Sequence, residues 1–175
     1  MEPLEDRQEV GKEVVLGGLF TALAVVLPML FHLVGLGRVF LPMHLPVLTA
    51  GFLVSPAVAV SVGVLAPLLS AALTGMPPLP LAPLMAVELA ILGGSAALFY
   101  GRLRWPWGFS LPLAILCARS SWVLMVLGLA PLLHLPEKML SVAAVLQGLP
   151  GTALQLVVVP LVVLAVEQRR KPKGA

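Results

Sequence analysis

The chain is built from long hydrophobic runs separated by short stretches that contain proline, glycine or charged residues. These runs cover residues 14–36, 45–54, 57–73, 84–100, 110–133 and 139–166. A helix needs about 17–25 apolar residues to cross the hydrocarbon core of a bilayer, so five of the runs are long enough. The second run is only a half-span unless the preceding VFLPM extends it. The pattern predicts an all-α integral membrane protein, a compact bundle of six transmembrane helices.

Composition supports the membrane assignment. Of the 175 residues, 59% are hydrophobic and 11% are charged, and the mean hydropathy is +1.05. A soluble domain carries roughly 25% charged residues, so this chain lacks the polar side chains to cover a globule in water. We expect one membrane domain over residues 1–175, with a cytoplasmic N-terminal segment (1–12), a six-helix bundle (13–167) and a basic cytoplasmic tail (168–175).

The basic residues orient this bundle. With six spans and the N-terminus inside, eight of the eleven lysines and arginines fall on the inner side. Arg38 and Lys138 fall outside, and Arg119 lies within the fifth span. This excess is what the positive-inside rule requires, so both termini are predicted to be cytoplasmic. A basic tail can also bind nucleic acid, but after an apolar span it is more typical of a topology signal, and no nucleic-acid partner is expected.

Two ionisable residues, Glu88 and Arg119, lie deep in the predicted spans at similar depths. An ionised group at mid-bilayer costs roughly 2.5–3.5 kcal/mol even on lenient scales, so both should face the protein interior, where they could pair. The pair could hold two helices together, or it could bind a polar group of a ligand. Ser120, Ser121 and Trp122 follow Arg119 and add hydroxyls and an aromatic wall.

The three histidines, His32, His44 and His134, fall near the outer ends of the predicted spans. Their spacing fits no metal site, and a lone interfacial histidine is usually a polar tip. Two outer turns, RVFLPMH and TGMPPLP, nevertheless combine methionine with proline, which lowers the entropy cost of ordering a loop. Such turns suit the capture of a small organic ligand, although they could equally be ordinary turns.

Two further patterns concern the ends of the bundle. The last run begins QGLPGTALQLVVVP, in which the proline and glycine are expected to bend or unwind the helix between Gln147 and Gln155. In the first run Gly18 and Ala22 are four residues apart, a spacing that lets helices approach closely. The Gly18–Ala22 pair could serve packing within the bundle or a partner surface.

The sequence contains no nucleophile elbow, no phosphate-binding loop and no dense cluster of carboxylates. We therefore predict that the protein is not an enzyme. Any active transport must take its energy from a partner or from an ion gradient.

Taken together, the motifs resemble those of the substrate-binding S components of energy-coupling factor (ECF) transporters. The resemblance covers roughly residues 12–167 and rests on FLPMHLPVLTAGFLVSP before and within the second span, LTGMPP before the fourth, AVELA within the fourth and LPGTALQL in the last. It implies a subunit in the plasma membrane of a prokaryote that captures a vitamin or related micronutrient on the outer face. The subunit then docks on a coupling transmembrane subunit that carries two ATPases, topples in the bilayer and releases its ligand inside.

The resemblance also implies roles for individual residues. Gly18 and Ala22 match an Ala-x-x-x-Ala motif that contacts the coupling subunit, with glycine in place of the first alanine. ATP would be used by the partner ATPases, and no intrinsic cofactor or metal is expected. The implied ligand site comprises Arg38, Met43, His44, Met76, Glu88, Arg119, Trp122, Gln147 and Gln155.

Three questions stay open at this point. The buried arginine suits a carboxylated ligand such as pantothenate or lipoate, whereas Met43 and His44 would allow a metal-containing ligand such as cobalamin; a carboxylated or amphipathic vitamin ranks slightly ahead. The Glu88 and Arg119 pair would also suit a stand-alone ion-coupled transporter or channel acting as an oligomer. The small-residue spacing would suit an assembly protein without any ligand.

Overall fold

A computed structural model describes residues 2–33, 35, 40–133 and 148–170, and within these ranges the chain forms helices and connecting turns but no strand. A π-helical turn, Ala97–Arg102, extends the fourth helix. The α-helices in chain order are α1 Glu2–Leu33, α2 His44–Leu53, α3 Pro56–Thr74, α4 Ala82–Ala96, α5 Trp107–Leu133 and α6 Leu149–Arg170.

Five of the helical segments are long and apolar enough to cross a membrane. This confirms the prediction of an all-α protein with several membrane-spanning helices. The five segments are Gln8–Phe31, Pro56–Thr74, Ala82–Arg102, Trp107–Leu129 and Leu149–Val166.

Helix α2 is the short second element that the sequence predicted, and it forms the centre of the fold. Eight of its ten residues are buried. It packs against α4, α1, α6 and the π-helical turn. A helix that is apolar all round belongs in the interior of a bundle, which is where α2 lies.

Glycines bring α2, α3 and α4 into close contact. A Cβ on Gly63 of α3 would lie 2.5 Å from backbone atoms of Leu89 and Ala90 in α4. A Cβ on Gly93 of α4 would lie 2.9 Å from the carbonyl oxygen of Ala59 in α3, and one on Gly51 of α2 would lie 2.6 Å from that of Gly93. Without a hydrophobic driving force in lipid, such close backbone approach is a main source of helix–helix attraction.

A polar contact fixes α1 to the turn between α2 and α3. The carboxylate of Glu13 accepts hydrogen bonds from the backbone N–H of Ser55, at 3.1 Å, and from its hydroxyl. Ser55 is the N-cap of α3, whose N-terminus carries partial positive charge that favours an anion. The end of α2 therefore lies level with the beginning of the apolar part of α1.

Helix α1 begins at Glu2, so residues 2–12 form a helical extension that precedes the apolar part of α1. Glu9 and Lys12, which are both exposed, form an i,i+3 ion pair at 3.7 Å within this extension. Helix α6 continues to Arg170, and the last five residues of the predicted tail lie outside the described ranges.

Candidate functional site

Three side chains from three helices meet in the interior and form a cluster that we call the polar triad: His44 of α2, Glu88 of α4 and Arg119 of α5. Arg119 donates a hydrogen bond from Nη1 to Oε1 of Glu88 at 2.8 Å. The Nε2 atom of His44 lies 3.5 Å from the same oxygen. Glu88 is 2% exposed and His44 3% exposed, whereas the side chain of Arg119 is 30% exposed. The predicted pairing of Glu88 with Arg119 is therefore confirmed.

His44, which the sequence placed near the outer end of the second span as a candidate ligand contact, is buried. His44 is the first residue of α2, and its N–H donates to the carbonyl of Leu41 in a preceding turn where Leu41 has φ of 48°. Helix α2 ends next to Ser55 after ten residues, or about 15 Å. A helix of this length covers about half of a bilayer core of about 30 Å.

The polar triad balances its fixed charges but leaves several polar atoms without partners. Glu88 neutralises Arg119, which lowers the cost of placing either ion at membrane depth. Within the described part of the chain, Nη2 of Arg119 and both ring nitrogens of His44 are buried without a hydrogen-bond partner. Buried polar groups are nearly always hydrogen-bonded in folded proteins, so these atoms are suited to contact a polar molecule.

Gln155 of α6 is a fourth polar side chain in this interior. It is 1% exposed, and neither its Oε1 nor its Nε2 has a partner among the described residues. Helix α6 packs against α2 and α5, and Val159, one turn further along α6, belongs to the same apolar core as Met43 and Val47. Gln155 therefore lies in the interior, on a helix that packs against the two helices carrying His44 and Arg119.

A small apolar cluster flanks the polar triad. Leu84, one turn before Glu88, and Val126 are buried, and Trp122 packs against them, one turn after Arg119. Leu81 and Met125 complete the cluster. Trp122 thus packs in an apolar cluster one turn from Arg119 on α5, and its role as an aromatic wall of a ligand site stays a prediction.

The other predicted ligand contacts are scattered. Met43 is buried in the apolar core next to His44. Met76 is 51% exposed in the turn between α3 and α4, where its carbonyl accepts hydrogen bonds from the hydroxyls of Ser70 and Thr74 at 2.8 and 3.2 Å. Met76 is therefore outside the buried triad. Arg38, Gln147 and His134 lie outside the described residues, and the contributions of Arg38 and Gln147 to a ligand site stay predictions.

The pair predicted to dock on a partner, Gly18 and Ala22, lies exposed on α1 along an apolar groove of about 720 Å³ between α1 and α3. Neighbouring Gly17 serves packing within the chain, because a Cβ there would lie 2.7 Å from Cγ1 of Val58. A Cβ on Gly18 would meet no atom within 4 Å. Gly17 therefore faces the interior of the bundle, and Gly18 faces outward.

The contact between His44 and Glu88 was not predicted from the sequence. The available signal was the short second run, whose ten residues indicate a helix that does not span a bilayer by itself. Across the described ranges, no group of three or more histidine, cysteine, aspartate or glutamate side chains is placed to hold a metal ion. The polar triad contains both charged and neutral hydrogen-bonding groups.

Comparison with known proteins gives one family. The family model for the ECF transporter, substrate-specific component, matches residues 12–163. Neither the curated proteins nor the solved structures give a significant match.

Proposed function

The chain belongs to the family of substrate-specific components of ECF transporters, and from this premise we propose that it captures a vitamin or related small organic micronutrient at the outer face of a prokaryotic plasma membrane. Members of this family are subunits of transporters rather than enzymes, and they work with an ECF module and a small-molecule substrate. The observation that carries the proposal is the buried polar triad with its unpartnered hydrogen-bonding atoms.

The proposed topology has six crossing segments with both termini in the cytoplasm. Five segments are long enough to span by themselves. The contact of Glu13 with Ser55 supports a crossing by α2 together with the turn before it, because it places the end of α2 level with the start of the apolar part of α1. The excess of lysine and arginine on the inner side supports the orientation.

The proposed substrate site is reached from the outer face and ends at the polar triad. Its walls come from α2, α4, α5 and α6, with Trp122 as an aromatic surface. Met43 backs His44, and Arg38, Met76 and Gln147 are the proposed contacts from the outer turns. A concave site with mainly apolar walls and a few converging polar groups is the usual design of a small-molecule pocket.

Delivery is proposed to depend on partners. Gly18 and Ala22 give α1 a smooth outward surface that fits a helix of the coupling transmembrane subunit. Two partner ATPases would hydrolyse ATP, so this subunit would need no cofactor of its own.

Uptake into proteoliposomes tests this function. The protein reconstituted alone should bind micronutrient without accumulating it, and accumulation should need the coupling module and ATP. Accumulation by the protein alone, driven by a proton or sodium gradient, would contradict the proposal. That result would favour the second candidate, an ion-coupled transporter or channel acting as an oligomer, which the buried carboxylate of Glu88 also suits.

A further inference from the structure

We propose that the part of the substrate that contacts the polar triad is uncharged and carries both a hydrogen-bond donor and an acceptor, as an amide, ureide or lactam does. This inference rests on the proposed function and specifies the substrate class of the same site. It differs from the expectation of a carboxylate because Arg119 is already neutralised.

The charges of Glu88 and Arg119 already balance each other. Arg119 is 2.8 Å from Oε1 of Glu88, so the guanidinium and the carboxylate form one neutral pair. A substrate carboxylate at the remaining Nη2 would place a second anion against one cation at membrane depth. Burying an unmatched charge is costly, whereas a carbonyl oxygen at Nη2 needs no counter-ion.

His44 does not change this balance. Its Nε2 shares Oε1 of Glu88 with Arg119, so a protonated ring would be a second cation held by the same carboxylate. In a buried site the neutral imidazole is the form of lower cost. A neutral ring offers one donor and one acceptor.

The unpartnered polar atoms include both hydrogen-bond donors and hydrogen-bond acceptors. In the residues that the structure describes, Nη2 of Arg119 is an unpartnered donor, and Nδ1 of His44 is an unpartnered acceptor when the neutral ring directs its Nε2–H toward Glu88. The buried amide of Gln155 on α6 adds donors on Nε2 and an acceptor on Oε1. A carboxylate accepts hydrogen bonds but donates none, and would leave the acceptors unpaired. An amide-type group can satisfy both kinds, and an unpaired buried polar atom costs about 1–3 kcal/mol.

The test compares matched neutral and anionic compounds on the full chain in lipid nanodiscs. The probes are nicotinamide with nicotinate and lipoamide with lipoate, pairs in which the acid member has no amide-type group, added together to a deproteinised cell extract. Retained compounds are identified and quantified by mass spectrometry after rapid desalting. The wild-type protein is compared with Glu88→Gln, which removes the carboxylate and leaves Arg119 unneutralised, and with Gln155→Leu. Glu9→Gln, a change of an exposed acid on α1, is the matched control for charge.

Retention of a neutral compound at least tenfold above its anionic partner by the wild-type protein supports the inference. Glu88→Gln should reduce this preference at least tenfold or reverse it, Gln155→Leu should reduce retention of the neutral compound at least tenfold, and Glu9→Gln should change neither. The protein could also retain a compound from the extract and none of the probes. The inference is supported if that compound carries an amide-type or comparable donor–acceptor group. It is overturned if all polar groups of the compound are acids.

A wild-type preference for the anionic partner also overturns the inference but leaves the capture of a micronutrient intact. Retention of no compound at all, from the pairs or from the extract, overturns the proposed function itself. Should Glu88→Gln fail to fold, the wild-type preference and the effect of Gln155→Leu still decide the question.

Discussion

Arg119 donates a hydrogen bond to Glu88 across 2.8 Å, joining α5 to α4 in the interior of the bundle. His44 approaches the same carboxylate from α2. One acidic group thus connects three helices and organises the only ionised residues that lie deep within the described spans.

The first prediction concerns the stability that this pair supplies. Arg119→Leu or Glu88→Leu alone should lower the free energy of unfolding by about 3 kcal/mol, because each leaves an uncompensated buried charge. The double variant should cost less than the sum of the two, since no charge remains. A double-mutant cycle from unfolding in mixed detergent micelles measures this coupling, and additive costs would show that the pair does not act as a unit.

The second prediction concerns His44. His44→Leu should weaken substrate capture at least tenfold because both ring nitrogens are lost from the site, while His44→Gln should retain part of the affinity through its amide. Binding is measured by isothermal titration with the compound that copurifies. Equal affinity for wild type and His44→Leu would remove His44 from the site.

The third prediction concerns the contact between α3 and α4. Gly63→Ala should destabilise the protein by about 1–3 kcal/mol, because the new Cβ would lie 2.5 Å from backbone atoms of α4 that cannot rotate away. Gly128→Ala in α5 is the matched control, since a Cβ there meets nothing within 4 Å. Thermal unfolding of both variants makes the comparison, and equal melting temperatures would contradict the close approach of the two helices.

The fourth prediction concerns the link between α1 and α3. Glu13→Gln should lower stability by about 1 kcal/mol, the typical cost of losing an N-terminal helix cap, and Ser55→Ala should lower it by less, because the backbone N–H of Ser55 still donates to Glu13. The two changes together should cost less than their sum, because both act on the hydrogen bond between the Ser55 hydroxyl and Glu13. Glu9→Gln should leave the melting temperature unchanged, and an equal loss in that control would point to a general charge effect.

The fifth prediction separates packing from docking on α1. Gly17→Leu should destabilise the isolated protein, because a Cβ at this position already approaches Val58 at 2.7 Å. Gly18→Leu should leave the isolated protein stable but reduce its copurification with the coupling subunit at least tenfold. Normal assembly of Gly18→Leu with the module would place the docking surface elsewhere.

Much of the fold could be predicted from the sequence because the hydrophobic runs are long and their ends carry proline, glycine or charge. The sequence indicated that Glu88 and Arg119 could pair, because they have similar predicted depths and an isolated ion in lipid is costly. The contact of His44 with Glu88 could not be obtained in this way, because it depends on how α2 packs against α4, and residues on different helices are brought together only by the fold.

The sequence also could not show that Gly17 packs inside the chain whereas Gly18 faces outward. Both are small and adjacent, and spacing alone cannot show which of the two faces α3. The hydrogen-bond donors and acceptors that remain available in the site could not be predicted either, because they depend on which nitrogen of Arg119 donates to Glu88.

The most direct test of the central claim, that the polar triad holds the substrate, uses mass spectrometry of small molecules copurified with two proteins. One is the wild type, and the other is the double variant Glu88→Leu and Arg119→Leu, which leaves no unpaired charge and should fold. We predict a stoichiometric organic compound with the wild type and at least a tenfold lower amount with the double variant at equal helical content by circular dichroism. Equal amounts of the compound in both proteins would contradict the claim.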